Sequence, residues 1–201
     1  MPAPTPTPRS ATEWYFRWRG WIPLPLYVAL LLLPWRYPNW KACWAVGSAI
    51  VVSGCLFRFW AIRHIGKAAR TRTEKTRPLI LTGPYAAIRN PLYIANIVIA
   101  IGFAGVACLP WYAPVLALLL FIHYHIVVRC EESALLAQHG DSYAQFLQEV
   151  PRWFPRKLGA AVFAKAPHPF AEAIFREKSG IIGVAAALGI LAARTWWGLR
   201  G

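Results

Sequence analysis

The chain has 201 residues, of which 57% are hydrophobic and only 15% are charged, and this composition excludes an ordinary soluble domain, whose surface would carry more charge. Eleven tryptophans, most of them beside apolar runs, are typical of helices anchored at the two faces of a bilayer. The net charge of +14 would suit nucleic acid, but the basic residues concentrate beside apolar runs, chiefly in 63–77 and 152–157, so anionic lipid accounts for them and no nucleic-acid partner is expected.

The amino-terminal residues MPAPTPTPRSATEW alternate proline with small polar residues and lack the apolar stretch of a signal peptide. We predict a disordered, proline-rich tail over residues 1–14. A single membrane domain is expected to follow over 15–201, and its last part, 156–201, is expected to form interfacial and C-terminal helices.

Two apolar runs come first in this domain. The run 21–35 is short for a membrane span of about 20 residues, and it becomes long enough when 15–20 is added as an interfacial entry. The run 40–62 is long enough by itself, with Arg58 near its cytoplasmic end, where the side chain can reach the head groups.

The next two apolar runs, 92–109 and 114–128, are separated only by the four residues 110–113, so we predict a tight antiparallel helical hairpin. A last apolar run, 180–197, is rich in small residues and interrupted by Arg194. It either spans the membrane or lies in the interface, and we favour a span.

These runs predict an all-α fold: a polytopic integral membrane helical bundle with four to five transmembrane helices. Lysine and arginine are dense between the second and third runs and again after the fourth, which places both stretches and the amino terminus on the cytoplasmic side and the loop at 36–41 outside. We expect an integral protein of a bacterial inner membrane or an equivalent membrane. The sequence has no GxGxxG or GxxxxGK[ST] motif, and the four scattered cysteines do not indicate a metal site.

Polar residues that could carry chemistry collect at the two ends of the predicted hairpin. The segment LTGPYAAIRNPLY (81–93) leads into the third run, and RCEESALLAQHGDSYAQFLQEVPRWFP (129–155) follows the fourth. Because the hairpin returns the chain to the face from which it started, the two segments are expected within side-chain reach of each other at the cytoplasmic rim. A charged cofactor would enter there from the cytoplasm and an apolar acceptor from the bilayer.

These segments resemble the isoprenylcysteine carboxyl methyltransferase and phospholipid methyltransferase superfamily. The resemblance rests on GPYxxxRNPxY, on the paired glutamates farther along, and on HGxxYxxFxxxVPRWFP, which together cover about 79–155. It implies an integral membrane enzyme that binds S-adenosylmethionine in a cytoplasmic pocket within 79–155, without a Rossmann domain, and releases S-adenosylhomocysteine. Asn90 stands where the eukaryotic prenylcysteine enzymes usually have histidine; asparagine can donate and accept hydrogen bonds but cannot become cationic.

The chemistry of S-adenosylmethionine suggests a role for each motif residue. Arg89 could hold the cofactor carboxylate as a fork, and Glu131 or Glu132 could take the ammonium or the ribose. Tyr85 and Tyr93 could cover the adenine or the sulfonium, the latter by a cation–π attraction of about 1 kcal/mol.

Supporting roles follow from local geometry. Gly83 permits a tight turn, and Pro91 stiffens the loop. His125, Arg129 and Glu132 lie on one stripe of the fourth helix, so Glu132 is expected to share a site with His125. The predicted cofactor-binding residues are therefore Gly83, Tyr85, Arg89, Asn90, Pro91, Tyr93, His125, Glu131 and Glu132; the predicted catalytic residues are Arg89, Glu132 and Arg152.

The methyl acceptor stays open at this point. A carboxylate acceptor, on a prenylated cysteine or another hydrophobic acid, would need only a cation such as Arg152 to place it, whereas a phospholipid amine would need a base such as Glu132 or His125. Membrane lipids and a hydrophobic or lipid-linked acceptor are the expected partners, with no obligate protein partner.

Other interpretations of the same residues are a membrane reductase of the sterol reductase type, which would use NADPH, and a non-catalytic transporter or scaffold. Separately from these functions, Arg89 and Arg152 could simply anchor the chain to lipid phosphates, and the glutamates could only pair with Arg129.

Overall fold

A computed structural model describes residues 11–34, 39–66 and 79–200, and these residues form helices joined by short loops, with no strand among them. The all-α prediction is confirmed. The helices are α1 (Ala11–Trp18), α2 (Leu24–Leu32), α3 (Trp40–Ile65), α4 (Pro91–Val106), α5 (Tyr112–His139), α6 (Asp141–Glu149) and α7 (Phe170–Gly198), with 3-10 turns at Gly83–Ala86 and Ala160–Phe163.

Three helices among these residues, α3, α5 and α7, are long and apolar enough to cross a membrane, and α4 adds a shorter apolar helix of 16 residues. The expected first span over 21–35 is not one long helix. Pro23 starts α2 after a bend, and α2 has only nine residues, about 14 Å at ~1.5 Å per residue, against a hydrocarbon core of about 30 Å.

The proline-rich tail falls largely outside the described residues, which begin at position 11. Its last four residues, 11–14, belong to α1. The basic segment 67–77 and residues 36–38 of the predicted outer loop also lie outside the described parts of the chain.

Helices α3 and α4 are packed backbone against backbone. A methyl group added to Gly102 would lie 2.6 Å from the backbone nitrogen of Val51, and one added to Gly47 would overlap the backbone of Val106. Glycines at the contact let the two helices approach this closely, and the resulting pair forms the centre of the bundle. Buried Ile99 and Phe103 of α4 extend the apolar core toward α5 and α7.

The predicted hairpin is present as α4 and α5. Its connection runs through Cys108, whose φ of +56° is unusual for a residue with a side chain. On the arms of the hairpin, the rings of Tyr93 and Tyr124 are stacked 4.6 Å apart. The start of α4 therefore lies beside the middle of α5, and the phenol of Tyr93 reaches Glu131, about two turns farther along α5.

Helix α7 is continuous from Phe170, ten residues earlier than the apolar run suggested, because nothing after Pro169 interrupts it. The residues 170–179, which precede the apolar run, therefore belong to α7 as well. Arg194, which interrupts the apolar run, donates to the backbone carbonyls of Leu31, Leu33 and Ala107 at 2.6 to 3.1 Å. The guanidinium of Arg194 thus provides hydrogen bonds to carbonyls that have no partner within the helices where α2 and α4 end.

Candidate functional site

The loop that leads into α4 is fixed at its start by the conformation and close packing of a glycine, and at its end by hydrogen bonds to a segment farther along the chain. Gly83 has a φ of +62°, and a methyl group there would overlap the ring of His64, so glycine is required on both counts. The backbone NH of Arg89 donates to the carbonyl of Pro151 at 3.0 Å, and the side chain of Asn90 donates to the carbonyl of Arg152 at 3.3 Å. The RNP segment and the VPRWFP segment are therefore joined.

A cavity of about 290 Å³ lies between this loop, the start of α4, the end of α5 and α6. Charged and aromatic side chains share its wall with a few aliphatic ones. The polar and aromatic lining consists of Arg19, Arg58, Tyr85, Arg89, Asn90, Tyr93, Asn96, Glu131, Glu132, His139, Tyr143 and Phe146.

Glu132 lies between two arginines at the edge of the cavity. The guanidinium of Arg152 approaches both carboxylate oxygens, with Nη2 2.6 Å from Oε2, and Nη1 of Arg89 lies 3.3 Å from Oε1. Glu132 is only 8% exposed, so its charge is balanced inside the protein. Burial lowers the pKa of Arg89 and the adjacent Glu132 carboxylate opposes that shift; arginine stays protonated because its ordinary pKa is above 12.

Glu131 faces the same cavity from a neighbouring stripe of α5. Its Oε1 accepts a hydrogen bond from the phenol of Tyr93 at 3.0 Å and lies 3.7 Å from Nη2 of Arg19. Although the two glutamates are about 100° apart around the helix, both reach the cavity because it lies between their directions.

The segment that supplies Arg19 is held by a buried histidine. Nε2 of His123 lies 3.0 Å from the carbonyl of Arg19, and Nδ1 lies 2.6 Å from the phenol of Tyr15. Because a carbonyl only accepts, Nε2 carries the proton and Nδ1 accepts from the phenol. His123 thus fixes the amino-terminal segment against α5.

Two buried nitrogens in the cavity wall lack a partner. Within the part of the chain that the structure describes, neither Nε of Arg89 nor Nε2 of His139 has a hydrogen bond. Buried polar atoms are normally paired, so Nε of Arg89 favours a ligand with an acceptor atom, while Nε2 of His139 can donate or accept according to its tautomer.

Aromatic surfaces complete the wall. Tyr85 and Tyr143 are both buried and both line the cavity. Burial, with a smaller effect of the Glu132 charge, raises the pKa of Tyr143 to about 12. This phenol therefore stays neutral near pH 7 and can donate a hydrogen bond.

The structure brings most of the predicted site residues together. Gly83 lies beneath the loop rather than in the wall, and Arg152 reaches Glu132 from outside the lining. The predicted residues that line the cavity are Tyr85, Arg89, Asn90, Pro91, Tyr93, Glu131 and Glu132.

His125 is not brought to the cavity. Nε1 of Trp153 lies 3.3 Å from Nδ1 of His125, and the two rings are stacked. His125 and Glu132 share a stripe of α5, but they are two turns, about 10 Å, apart along it, and Trp153 occupies the space beside His125. Arg129, on the same stripe, is exposed.

Several lining residues were missed by sequence reasoning. Asn96 follows Tyr93 by one turn of α4, and Tyr143 belongs to the HGxxYxxF motif, so both could have been found from spacing. Arg19 could not, because it is 112 positions from Glu131 and no motif links the two.

The central part of this chain is similar in sequence to known proteins. Residues 46–137 match the isoprenylcysteine carboxyl methyltransferase (ICMT) family. The chain is 30% identical over 135 residues to the nickel-cobalt-cadmium resistance protein NccN of Alcaligenes xylosoxydans xylosoxydans, an alignment covering 64% of this chain and 60% of that protein. It is 26% identical over 142 residues to the cobalt-zinc-cadmium resistance protein CzcN of Cupriavidus metallidurans, covering 68% and 62%.

The chain thus spans about three fifths of the length of these relatives. No solved structure matches it. Among the residues that the structure describes, no group of three or more His, Cys, Asp or Glu side chains could hold a metal ion.

The family match contains the loop from Gly83 to Tyr93 and both glutamates of the cavity, whereas Arg152 lies beyond it. The superfamily resemblance recognised from the motifs is supported over this segment: residues 46–137, which supply most of the cavity wall, match the isoprenylcysteine carboxyl methyltransferase family.

Proposed function

We propose that this protein is an integral membrane methyltransferase that binds S-adenosylmethionine in the cavity at the end of the α4–α5 hairpin and methylates a lipid-like acceptor. The observation that carries the proposal is a single cavity in which Arg89, with a buried unpaired Nε, faces two glutamates and a set of tyrosines.

The residues present fit the cofactor. Arg89 would hold its carboxylate, Glu131 would take its ammonium or ribose, and Tyr85 and Tyr143 would cover its flat or cationic parts. When bound, S-adenosylmethionine supplies a methyl group on a sulfonium, and the electron pair of the broken carbon–sulfur bond stays on sulfur, giving S-adenosylhomocysteine.

The protein's own contribution is positioning and exclusion of water, because methyl transfer needs no dedicated nucleophile. The Arg89–Glu132–Arg152 cluster fixes the charges at one end of the cavity before any ligand arrives. For a carboxylate acceptor, one of its arginines would orient the oxygen. For an amine acceptor, Glu132 would take the proton.

We also propose that the cavity opens toward the cytoplasm of a bacterial inner membrane or an equivalent membrane. The positive residues flanking the helices support this orientation. Helices α3, α4, α5 and α7 would each cross the bilayer, and α2 together with the residues before it would make a fifth crossing, from the cytoplasmic to the outer face.

The resistance roles in the names of NccN and CzcN belong to those proteins. For this chain, the donor set of the cavity and the family match support methyl transfer.

Calorimetry with S-adenosylhomocysteine tests the proposal on the full chain purified in detergent. We expect saturable binding, weakened at least tenfold by Glu132→Gln because Arg89 loses the charge that holds it in place. Glu149→Gln makes the same change on an exposed position of α6 and should bind as the wild type does. Absence of binding by the wild-type protein would overturn the assignment.

The same preparation separates the other functions. A rise in melting temperature with NADPH and none with S-adenosylhomocysteine would favour a reductase. Solute flux in liposomes without any cofactor, unaffected by Glu132→Gln, would favour a transporter.

A further inference from the structure

Two cysteines lie at the end of the bundle where α3 begins and where α4 connects to α5. Cys43 is in the first turn of α3, and Cys108 follows Val106, the last residue of α4, by two positions. Contacts of α3 with α4 run from Gly47 beside Val106 to Gly54 beside Ile99, so the two helices are antiparallel. The start of α3 and the end of α4 are therefore at the same level of the bundle.

The backbones of α3 and α4 touch one helical turn away from Cys43. A methyl group added to Gly105 would lie 3.0 Å from Cα of Gly47. Cys43 precedes Gly47 by four residues, so its side chain is on the same face of α3 and is directed at the chain just beyond Gly105. A disulfide needs Cα atoms about 4.4–6.8 Å apart, and backbones packed this closely provide such distances.

The thiols of Cys43 and Cys108 differ in accessibility. Cys108 is only 2% exposed, and burial together with a hydrogen bond to the Cys43 thiol raises its pKa to about 12. The charge of Arg194, whose Nη1 donates to the carbonyl of Ala107 at 3.1 Å, opposes that shift in the pKa and favours the thiolate. Cys43 is half-buried, so it is the thiol of the pair that a reagent can reach.

The backbone conformation at Cys108 independently draws attention to its side chain. Its φ of +56° is one that glycine adopts freely, whereas a residue with a side chain is strained there. Strained residues persist where the surrounding structure holds them, and they are concentrated at functional positions. The thiol is the group that cysteine provides at this position and glycine would not.

We infer that Cys43 and Cys108 form a disulfide bond at the outer face of the membrane. The structure shows the reduced pair. In the orientation proposed above, this end of the bundle faces the bacterial periplasm, where disulfides form and persist. The bond ties the start of α3 to the α4–α5 connection, and it does not depend on methyl transfer.

Bond formation is a thiol–disulfide exchange with a disulfide donor of the periplasm. The Cys43 thiolate attacks one sulfur of the donor, and the other donor sulfur leaves as a thiolate. Cys108 then loses its proton and attacks Sγ of Cys43, which displaces the second donor thiolate. The two cysteines are oxidised by two electrons, and the donor leaves as a dithiol carrying the two protons.

Oxidation of the purified full chain in detergent tests the inference without requiring activity. The oxidant is diamide, which takes up two electrons and two protons, and the remaining thiols are blocked with N-ethylmaleimide before mass spectrometry of peptides. We expect one cross-linked pair of peptides, which contains Cys43 and Cys108. The bond closes a loop of about 65 residues, so the melting temperature should rise by roughly 5 °C or more and fall again with dithiothreitol.

Four variants show which thiols are responsible. Cys43→Ser and Cys108→Gly should each abolish the cross-link and the rise in melting temperature, and glycine at position 108 keeps the fold because it tolerates the positive φ. Cys55→Ser and Cys130→Ser are the matched controls, since each removes a half-buried cysteine elsewhere in the bundle. Both controls should form the cross-link as the wild type does.

The state of the pair in cells is measured by adding N-ethylmaleimide to intact cells before lysis and analysing the same peptides. We expect at least tenfold more of the oxidised than of the reduced pair. A reduced pair in cells, no Cys43–Cys108 cross-link with diamide, or a cross-link to Cys55 or Cys130 in its place would overturn the inference. Calorimetry with S-adenosylhomocysteine on the oxidised protein reports separately on the proposed function: a protein that forms the bond and binds no S-adenosylhomocysteine would refute the methyltransferase assignment and keep the disulfide.

Discussion

At the scale of single residues, the site is built from side chains whose partners are already in place. Glu132 lies between two guanidiniums, and Tyr93 donates to Glu131. A ligand that enters therefore finds oriented charges, and its binding costs little reorganisation of the protein. Glycine at position 83 makes this possible, because the loop carrying Arg89 turns there in a conformation that other residues rarely adopt.

We predict that Gly83→Ala destabilises the protein and weakens the site. The positive φ costs about 1–2 kcal/mol for a residue with a side chain, and the added methyl group would also have to displace the His64 ring. The expected result is a lower melting temperature in detergent and at least tenfold weaker binding of S-adenosylhomocysteine.

Gly159→Ala is the matched control, since a methyl group at this position meets nothing within 4 Å. Its melting temperature and binding should equal those of the wild type. A Gly83→Ala protein as stable as this control would contradict the strained-turn explanation.

At the scale of elements, the bundle depends on the contact between α3 and α4. The two helices approach until their backbones touch at Gly47 and Gly102, which fixes the tilt of α4 and with it the position of Tyr93 and Asn96. Helix α7 then braces this pair at both ends, through Glu177 and through Arg194.

We expect Gly47→Ala to separate α3 from α4. The methyl group would overlap backbone atoms of α4, which cannot move without shifting the whole helix, and overpacking of this kind costs about 1–3 kcal/mol. The melting temperature should fall by several degrees. In Gly189→Ala, where the methyl group meets nothing within 4 Å, helix propensity should raise the melting temperature or leave it unchanged. Equal effects in the two variants would refute the close contact.

Arg194→Leu should loosen the end of the bundle opposite the cavity that contains Glu132. The change removes the donors to three backbone carbonyls, at a cost of about 3 kcal/mol, because unpaired carbonyls in hydrocarbon have no water to replace the lost bonds. Thermal unfolding followed by circular dichroism measures the loss. Arg200→Leu removes an exposed guanidinium that lies over the Trp196 ring, and its effect should be below about 1 kcal/mol.

At the scale of the whole molecule, the packing fixes the relative directions of the helices. The ends of α2 and α4 meet the last turns of α7 at Arg194, while the backbone NH of His168, just before α7, donates to the carbonyl of Arg63 near the end of α3. Helices α2, α4 and α7 therefore run in one direction and α3 and α5 in the other. A chain that begins in the cytoplasm would end outside.

This arrangement predicts the accessibility of single cysteines to a membrane-impermeant maleimide. In a variant without the native cysteines, with glycine at position 108 because φ there is +56°, Arg200→Cys should react in intact cells. Asp141→Cys, beside the end of α5 and on the side of the cavity that contains Glu132, should react only after the cells are permeabilised. Reaction of Asp141→Cys but not Arg200→Cys in intact cells would show that the orientation is reversed, and the same accessibility at both positions would show that α7 does not cross the membrane.

The sequence by itself determined the helical class, the α4–α5 hairpin and the meeting of the Arg89 loop with the two glutamates. These follow from local information: the length of the apolar runs, the four residues between two of them, and motifs whose spacing is kept along the chain. These features do not depend on how the helices pack in detail. A short connection between two helices requires the second helix to run back alongside the first.

Only the tertiary structure decided which side chains share the cavity and how far each helix extends. His125 and Glu132 share a stripe yet lie at different depths, and Arg19 reaches Glu131 from a distant segment that no motif marks. Likewise, Arg58 of α3 contacts Asn96 of α4 and Glu177 of α7, three residues that no motif links. Depth along a helix and contact between distant segments depend on how the helices pack, which hydrophobic periodicity does not encode.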